Sequence, residues 1–473
     1  MPLRQRLVGV GTMTAAGLGA LVLWSAVALT RTPDHDHLRV GRLPGGPEVT
    51  YDLQGPGVWL LVVSIGLAVI FAVGVAVVER RTVTRTRRAV DDVALPLAPR
   101  HIMDATRGVY AGPVTVTVLI PAHNEEGCLA DTLRSLHSQE PPPERVIVVA
   151  DNCTDATVDI ARAEGAEVFE TRGNTHKKAG ALNQALREVL VGLGDNDLVM
   201  VMDADTTLDP GFLAGVKRRM TLDRALMAVG GLFYGEDGAG LRGQFQRNEY
   251  MRYQRELKRR RGRVFVLTGT ATAFRARALR EVAAHRGTVL PGVPGDVYDV
   301  IALTEDNELT IALKCLGALM ISPAECTVVT EVMPTWRTLW NQRLRWQRGA
   351  LENLGAYGPR PATMRYWAQQ LGIGYGVFAL GGYVLLMVVL VATSPSWVWF
   401  PFWMGVGGVF VIERVVTVWK GGWAARLLAL ALFPELFYAM FLNLVHIKGI
   451  WDLARAKEAA WTHLAAPTRE EAR

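Results

Sequence analysis

Cysteine is scarce in this chain. There are four, Cys128, Cys153, Cys315 and Cys326, and none is spaced as CxxC, which argues against a disulfide scaffold and a zinc knuckle. Charge surplus is small as well: 51 Lys+Arg against 45 Asp+Glu leave a net +6, far from the dense basic footprint of a nucleic-acid binder. No nucleic-acid partner is expected, and the run Lys258-Arg259-Arg260-Arg261 reads as a solvated or lipid-facing patch. Collagenous and disordered chains are excluded by the same figures. What the 473 residues do have is apolar content: 50% are hydrophobic while 20% are charged, with a mean hydropathy of +0.18. A chain both greasy and charged predicts bilayer segments beside a soluble domain.

The segment Leu7–Leu29 carries no charge and is long enough to cross a bilayer. Arg4 and Arg6 before it, and Ala26-Val27-Ala28 near its end, leave a cleaved signal peptide as the alternative to an anchor. A second uncharged run, Val58–Val78, is followed at once by Arg80, Arg81, Arg85, Arg87 and Arg88, and clustered arginine beside a span marks the cytosolic side. Three more apolar segments come late: Leu371–Ala392, Trp397–Val418 with Glu413-Arg414 near its end, and Leu427–Val445 with Pro434-Glu435. An ionisable group at depth is either paired within the bundle or lines a polar path. Five crossings would leave the C-terminus outside whereas Lys448, Arg455 and Lys457 favour inside, so the last segment is read as interfacial or bent.

From about Pro113 to Ser322 the pattern is βα. Val114–Ile120, Arg145–Ala150, Glu167–Phe169 and Leu198–Met202 are short and apolar or β-branched, and helical patterns at Leu129–Leu136, Ala156–Ala163 and Ala179–Leu193 separate them. Such alternation predicts an α/β domain with a largely parallel sheet covered by helices. Ligands of these sheets bind beyond the carboxyl ends of the strands. Pro121-Ala122-His123-Asn124-Glu125-Glu126 follows the first strand, Asp151-Asn152-Cys153-Thr154-Asp155 the second, and Asp203-Ala204-Asp205 the fourth. One such cluster is explained by helix capping, which favours Asn and Asp. Three at successive strand ends point to a polar ligand site.

In an extended segment residues i and i+2 face the same side, so Asp203 and Asp205 can address one ligand. Paired carboxylates with no thiol or imidazole beside them are hard oxygen ligands, suited to Mg²⁺ or Mn²⁺, and magnesium is commonly shared between a carboxylate or two and substrate phosphates. The DxD therefore points to a nucleotide-diphosphate substrate. Farther on, Thr304-Glu305-Asp306 opens a helical run, where the acids are either cap residues or a general base for an attacking hydroxyl. In the segment Trp336–Gly349, Trp336, Trp340 and Leu344 fall at i, i+4, i+8, an amphipathic pattern expected on the cytosolic membrane surface. Gln342, Arg345, Trp346 and Gly349 share another stripe, placing a planar phosphate fork beside a flat sugar-stacking ring.

The ordered set PAHNE, DNCTD, KAGALN, DAD, TED and QRLRW resembles the membrane-embedded family 2 glycosyltransferases, such as cellulose, chitin, hyaluronan and poly-N-acetylglucosamine synthases. The resemblance covers roughly Val114–Gly349, and Trp461-Thr462-His463 looks like a degraded form of a tail motif of such enzymes. It implies a GT-A (Rossmann-like) cytosolic catalytic domain flanked by transmembrane helices. The organisation expected is two N-terminal spans in 1–90, the GT-A domain in 91–333, an interfacial helix with the QxxRW motif in 334–360, and spans with a cytosolic tail in 361–473.

The same resemblance implies site residues. Pro121, Ala122, His123, Glu125 and Asp151 would form the nucleotide pocket, with Asp151 near the uracil and Lys178 and Gly180 bordering the site. Asp203 would contact the nucleotide sugar and Asp205 the metal, Mg²⁺ or Mn²⁺. Asp306 would be the catalytic base, supported by Glu305, while Gln342, Arg345 and Trp346 would hold the diphosphate and the acceptor end. His123 departs from the family, whose members usually carry an aromatic Tyr or another residue there. The reaction expected is an inverting transfer from a nucleotide-diphosphate sugar, UDP-GlcNAc or UDP-glucose, to a growing β-linked polysaccharide at a multi-pass site in the cell (inner) membrane. Two other readings stay open: a single transfer to a lipid-phosphate or lipid-linked acceptor, and a non-catalytic membrane scaffold or transporter.

Overall fold

A computed structural model describes residues 38–42, 48–52, the helical positions 62, 66, 69, 70, 73, 74, 77, 80 and 81, and residues 114–194, 196–223, 226–259, 264–393 and 398–457. They divide into two compact units, one with described residues 114–368 and 445–457, the other with those of 38–81 and 369–444.

The first unit is built on a mixed sheet. Its elements in chain order are β1 (Val116–Ala122), α1 (Leu129–His137), β2 (Arg145–Ala150), α2 (Thr157–Ala163), β3 (Glu167–Glu170), α3 (Lys177–Val189), β4 (Leu198–Met202), β5 (Thr207–Leu208), α4 (Phe212–Leu222), β6 (Leu226–Gly230), β7 (Leu232–Gly235), α5 (Gly240–Arg259), β8 (Ala271–Arg275), α6 (Ala276–His285), α7 (Glu305–Cys315), β9 (Leu319–Ile321), β10 (Thr327–Thr330) and α8 (Trp336–Tyr357). The seven-stranded sheet runs β9-β6-β8-β4-β1-β2-β3. β3, β2, β1 and β4 are mutually parallel, with Val118 opposite Val146 and Met200. The expectation of a largely parallel sheet holds for this half. In the other half β8 runs antiparallel between β4 and β6. A second sheet has the order β5-β10-β7, with β10 antiparallel to β5 and parallel to β7.

The strands are apolar on both faces because both are covered. Val116, Val118 and Ile120 of β1 join Leu133, Leu136, Phe212 and Val216 on one side. Leu119 joins Ile147, Val149, Leu182, Leu186, Leu279 and Leu313 on the other. The period-two alternation of a strand thus feeds two cores at once. Chain order reverses at β1, which has β2 on one side and β4 on the other. That is the switch point where the loops leaving the strands diverge and open a crevice.

In the second unit the strands Leu38–Arg42 and Glu48–Asp52 pair antiparallel, and Val398–Trp399 adds to the latter in parallel. Helices are α9 (Met364–Thr393), α10 (Pro401–Thr417), α11 (Gly422–Ala431) and α12 (Phe433–Ala454), the first and last shared by sequence with the first unit. Among the described residues one helix, Met364–Val389, is long and apolar enough to cross a membrane, and a second is if the bent pair Trp419–Ala431 and Phe433–Ala454 counts as one. The expected segment Leu371–Ala392 falls in α9. The segment Trp397–Val418 forms α10, 17 residues long, short of the roughly 20 a span needs. Leu427–Val445 is broken: Leu432 takes a positive φ (53°) ahead of Pro434, and the helices meet at 83°. Glu435 is buried with Oε2 3.7 Å from Arg414 Nη1, the paired alternative of the two foreseen for it. The segment Leu7–Leu29 and the tail Trp461-Thr462-His463 lie outside the described residues, as does most of Val58–Val78.

Candidate active site

The loops leaving β1, β2 and β4 meet the first turns of α3 and α7 and one face of α8 around a cavity of about 410 Å³. Pro121, Ala122, His123, Glu125, Asp151, Lys178, Asp203, Asp205, Glu305, Asp306, Gln342, Arg345 and Trp346 all line it. Gly180 does not. A Cβ there would stand 2.2 Å from Asn174 Oδ1 and 2.7 Å from His176 Cβ. Its missing side chain serves the fold-back onto α3 of the loop 174–176, whose Asn174 lines the cavity.

Side chains brace the β1 and β2 loops. Asn124 (φ 59°) and Asn152 (φ 51°) sit in the left-handed region that Asn tolerates. Asn124 Oδ1 accepts from Thr154 N at 2.8 Å. Asp151 Oδ1 accepts from Thr171 Oγ1 at 2.8 Å, Asn174 Nδ2 at 2.9 Å and Asn152 Nδ2 at 3.1 Å. His123 Nδ1 donates to the Asp151 carbonyl oxygen at 2.6 Å. The Asp151 carboxylate is therefore held in one orientation before any ligand arrives.

Asp203-Ala204-Asp205 is a turn, not the extended segment expected, because Thr206 N donates back to Asp203 O at 3.3 Å. Thr132 Oγ1 pins the intervening Ala204 carbonyl at 2.6 Å. The two acids accordingly have different partners. Asp203 Oδ1 takes Lys178 Nζ at 2.5 Å, and the same ammonium reaches Glu305 Oε1 at 3.1 Å. Burial opposes the Lys178 charge, yet Asp203 and Glu305 hold it well above the usual lysine range. Burial likewise opposes the Glu305 carboxylate, and Lys178 outweighs it and keeps Glu305 below the usual carboxylate value. Among the described residues no such cation offsets Asp205: burial, then Asp203, Glu331 and Glu125, push it up to about 7.

Asp306 begins α7. Its Oδ1 accepts from Asn307 N at 2.7 Å and its Oδ2 from Gly269 N at 3.2 Å. Burial and then the Glu305 charge raise it to about 6. Opposite, α8 starts with a capping box between Thr335 and Thr338 and presents Gln342, Arg345 and Trp346 to the cavity. Trp346 is partly exposed and carries the Arg343 guanidinium 4.3 Å from its ring centroid, while Arg343 Nη2 pairs with Glu249 Oε2 at 2.9 Å. Among the described residues, the buried Gln342 Oε1 has no hydrogen-bond partner. The inner face of α8 is thus protein-packed, with Leu339, Leu351 and Leu354 buried. Its place in the first unit joins the segment 334–360 to the sheet domain.

Among the described residues no group of three or more His, Cys, Asp or Glu side chains could hold a metal ion by itself. Asp205 nevertheless sits among Asp203, Glu125 and Glu331 with its charge disfavoured. A divalent cation sharing Asp205 with diphosphate oxygens fits that donor set.

The sequence reading missed several lining residues, among them Asn174, Lys177, Tyr250, Gly269 and Glu331. Glu331 follows β10 as Asp151 follows β2, so extending the strand-end survey would have found it. Tyr250 lies within α5, and nothing local signals that its ring reaches the cavity.

Residues 117–283, from β1 into α6, match the profile of Glycosyl transferase family 2. The chain is 32% identical over 246 residues to the probable glycosyltransferase YdaM of Bacillus subtilis, covering 50% of this chain and 54% of that protein. It is 25% identical over 252 residues to a poly-beta-1,6-N-acetyl-D-glucosamine synthase of Staphylococcus epidermidis, covering 50% and 55%. The chain thus spans about half the length of the curated relatives it matches. Among solved structures, the mannosyltransferase PcManGT of Pyrobaculum calidifontis, in complex with GDP-Man and Mn²⁺, aligns at 17% identity with a TM-score of 0.48, over 80% of this chain and 95% of that one.

Proposed function

We propose that this chain, whose residues 117–283 form a glycosyl transferase family 2 domain of GT-A, Rossmann-like α/β fold, is an inverting membrane glycosyltransferase. It moves a sugar from a nucleotide diphosphate, UDP-GlcNAc or UDP-glucose, to a growing β-linked polysaccharide. The observation that carries this reading is the convergence of Asp151, Asp205, Asp306 and Arg345 from four separate elements on one cavity.

In this reading Pro121–Glu125 and the braced Asp151 receive the base, and Asp203, fixed by Lys178, faces the nucleotide sugar. Asp205 would hold Mg²⁺ or Mn²⁺, which when bound neutralises charge on the diphosphate. Arg345 supplies a planar cation to the same phosphates, with Gln342 and Trp346 at the acceptor end. The acceptor hydroxyl oxygen attacks the anomeric carbon while its proton passes to Asp306. The bond from that carbon to the diphosphate oxygen breaks, and the pair leaves with the nucleotide. Displacement on the opposite face turns an α-linked donor into a β-linked product. Glu305, kept ionised by Lys178, maintains negative charge beside the base and favours proton capture.

The exposed apolar face of α9, with Leu371, Leu385, Val388 and Val391 open, supports a bilayer location, and the arginines from Arg80 onward support a cytosolic catalytic domain. Isolated membranes supplied with a panel of radiolabelled nucleotide sugars and Mg²⁺ or Mn²⁺ test this reading. A ladder of products is expected. One labelled lipid spot would replace polymerisation by single transfer, and no transfer from any donor would remove the enzyme assignment.

A further inference from the structure

We propose that Thr304, Gly349 and Asn353 form a latch of positioning residues that sets the spacing between the base on α7 and the phosphate-facing residues on α8. The inference rests on the reading of Asp306 and Arg345 given above.

Thr304 is the residue before α7, yet its side chain makes no cap to that helix. The Asn307 N–H that a cap would take goes to Asp306 Oδ1 instead. The Thr304 hydroxyl is occupied from outside. Asn353 Nδ2 reaches Thr304 O and Thr304 Oγ1, both at 3.2 Å, and Asn307 Oδ1 at 3.0 Å. One amide of α8 thus gathers three acceptors from the two residues that flank Glu305-Asp306. Thr304, at the cavity wall, and Asn353 are both buried, which limits the access of water to these bonds.

One turn earlier on α8 stands Gly349. Glycine in a helix interior is disfavoured relative to alanine, and here the space accounts for it. A Cβ at Gly349 would meet Thr304 Oγ1 at 2.5 Å, Cγ2 at 2.8 Å and Cβ at 3.1 Å. The two helices approach as closely as a side chain on one of them allows.

Gln342, Trp346, Gly349 and Asn353 fall at i, i+4, i+7 and i+11, one stripe of α8. The N-terminal half of that stripe lines the cavity and the C-terminal half grips the start of α7. A helix moves as a rigid body over so short a distance, so a shift at Gly349 is passed to Arg345 one turn away. Reacting atoms must lie about 3–3.5 Å apart, and a displacement of about 1 Å costs on the order of 10²-fold in rate. A latch of this kind acts on turnover and leaves the nucleotide pocket at the β1 and β2 loops alone.

The test is a double-mutant cycle on the full-length protein in membranes. Each variant is assayed with UDP-N-acetylglucosamine and with UDP-glucose in Mg²⁺, and the amount of folded protein is fixed by size exclusion. Gly349→Ala is expected to lower kcat roughly 10–100-fold with donor KM changed by less than about threefold. In a Thr304→Ala background, where Oγ1 and Cγ2 are gone, the same change should lower kcat by less than about threefold. Asn353→Ala, which adds no bulk, should give a similar loss confined to kcat. Equal losses in both backgrounds, no loss in either, or a rise in donor KM in place of the fall in kcat each overturn the latch. Asp306→Asn is measured alongside. An active Asp306→Asn removes the base assignment itself, whereas an inactive one beside an undisturbed Gly349→Ala removes the latch alone.

Discussion

Lys178 Nζ lies 2.5 Å from Asp203 Oδ1, an ion pair that ties the first turn of α3 to the end of β4 inside the cavity. The same cation reaches Glu305 at 3.1 Å and thereby links α3 and the loop after β4 to the helix that carries Asp306. It is the first counter-charge to Glu305, ahead of Arg345.

Removing that counter-charge has a signed consequence. Lys178 lowers the Asp306 value, against burial and Glu305, which raise it. Lys178→Met should therefore move the acid limb of the kcat/KM profile to higher pH, with a deeper deficit at about pH 6.5 than at about pH 8.5. A pH–rate profile of the variant decides it, and an unshifted limb would show that Asp306 does not feel this charge.

Asp306 itself should shape the wild-type profile. Its carboxyl is raised to about 6, and a base acts only when deprotonated. Activity is thus present above that value and is lost as the pH falls through it, by about tenfold per unit in kcat/KM. Asp306→Asn keeps the shape of the side chain and should lower kcat by roughly 10²–10⁴-fold. Normal turnover by this variant would move the base elsewhere.

Asp205→Asn removes the carboxylate that stands among Asp203, Glu125 and Glu331. The Mg²⁺ or Mn²⁺ concentration for half-maximal activity should rise, and kcat at saturating metal should fall by roughly 10²–10³-fold. Titrating EDTA-treated membranes with each metal measures both. A metal curve that overlays the wild type would place the cation on other residues.

The scaffold offers a stability test away from the cavity. Arg286 is buried and meets both Glu308 oxygens, at 2.5 and 2.8 Å, while donating to the Pro291 and Val297 carbonyls. Tyr357 of α8 also donates to Glu308, so α6, α7 and α8 share one charged knot. Arg286→Ala leaves a buried carboxylate without its cation and should destabilise the protein by roughly 3–5 kcal/mol. Thermal unfolding of detergent-solubilised protein measures it. The pair Arg286→Met with Glu308→Leu, which buries no charge, should recover most of the loss.

The strands were legible because each is a short apolar run bounded by polar turns. Arg145–Ala150 and Leu198–Met202 match the strands observed, and the first strand is shifted by two residues at each end, to Val116–Ala122. The antiparallel β8 was not, since Ala271–Arg275 is brief and its direction depends on partners distant in sequence. The acids at the strand ends were visible for the same reason as the strands. The packing role of Gly180 was not legible, since the close distances to Asn174 and His176 depend on how the loop before α3 folds back onto the helix.

Periodicity and residue type alone determined that this chain alternates strand and helix, that acids follow successive strands, and that Gln342, Arg345, Trp346 and Gly349 share one helical face. These are local properties, set by the two-residue period of a strand and the 3.6-residue turn of a helix. Tertiary structure alone decided what each acid meets: Lys178 for Asp203, the carboxylates of Asp203, Glu331 and Glu125 for Asp205, and a backbone amide from Gly269 for Asp306. The state of a carboxylate depends on burial and on charges a few ångströms away, contributed by residues that chain order keeps tens of positions apart.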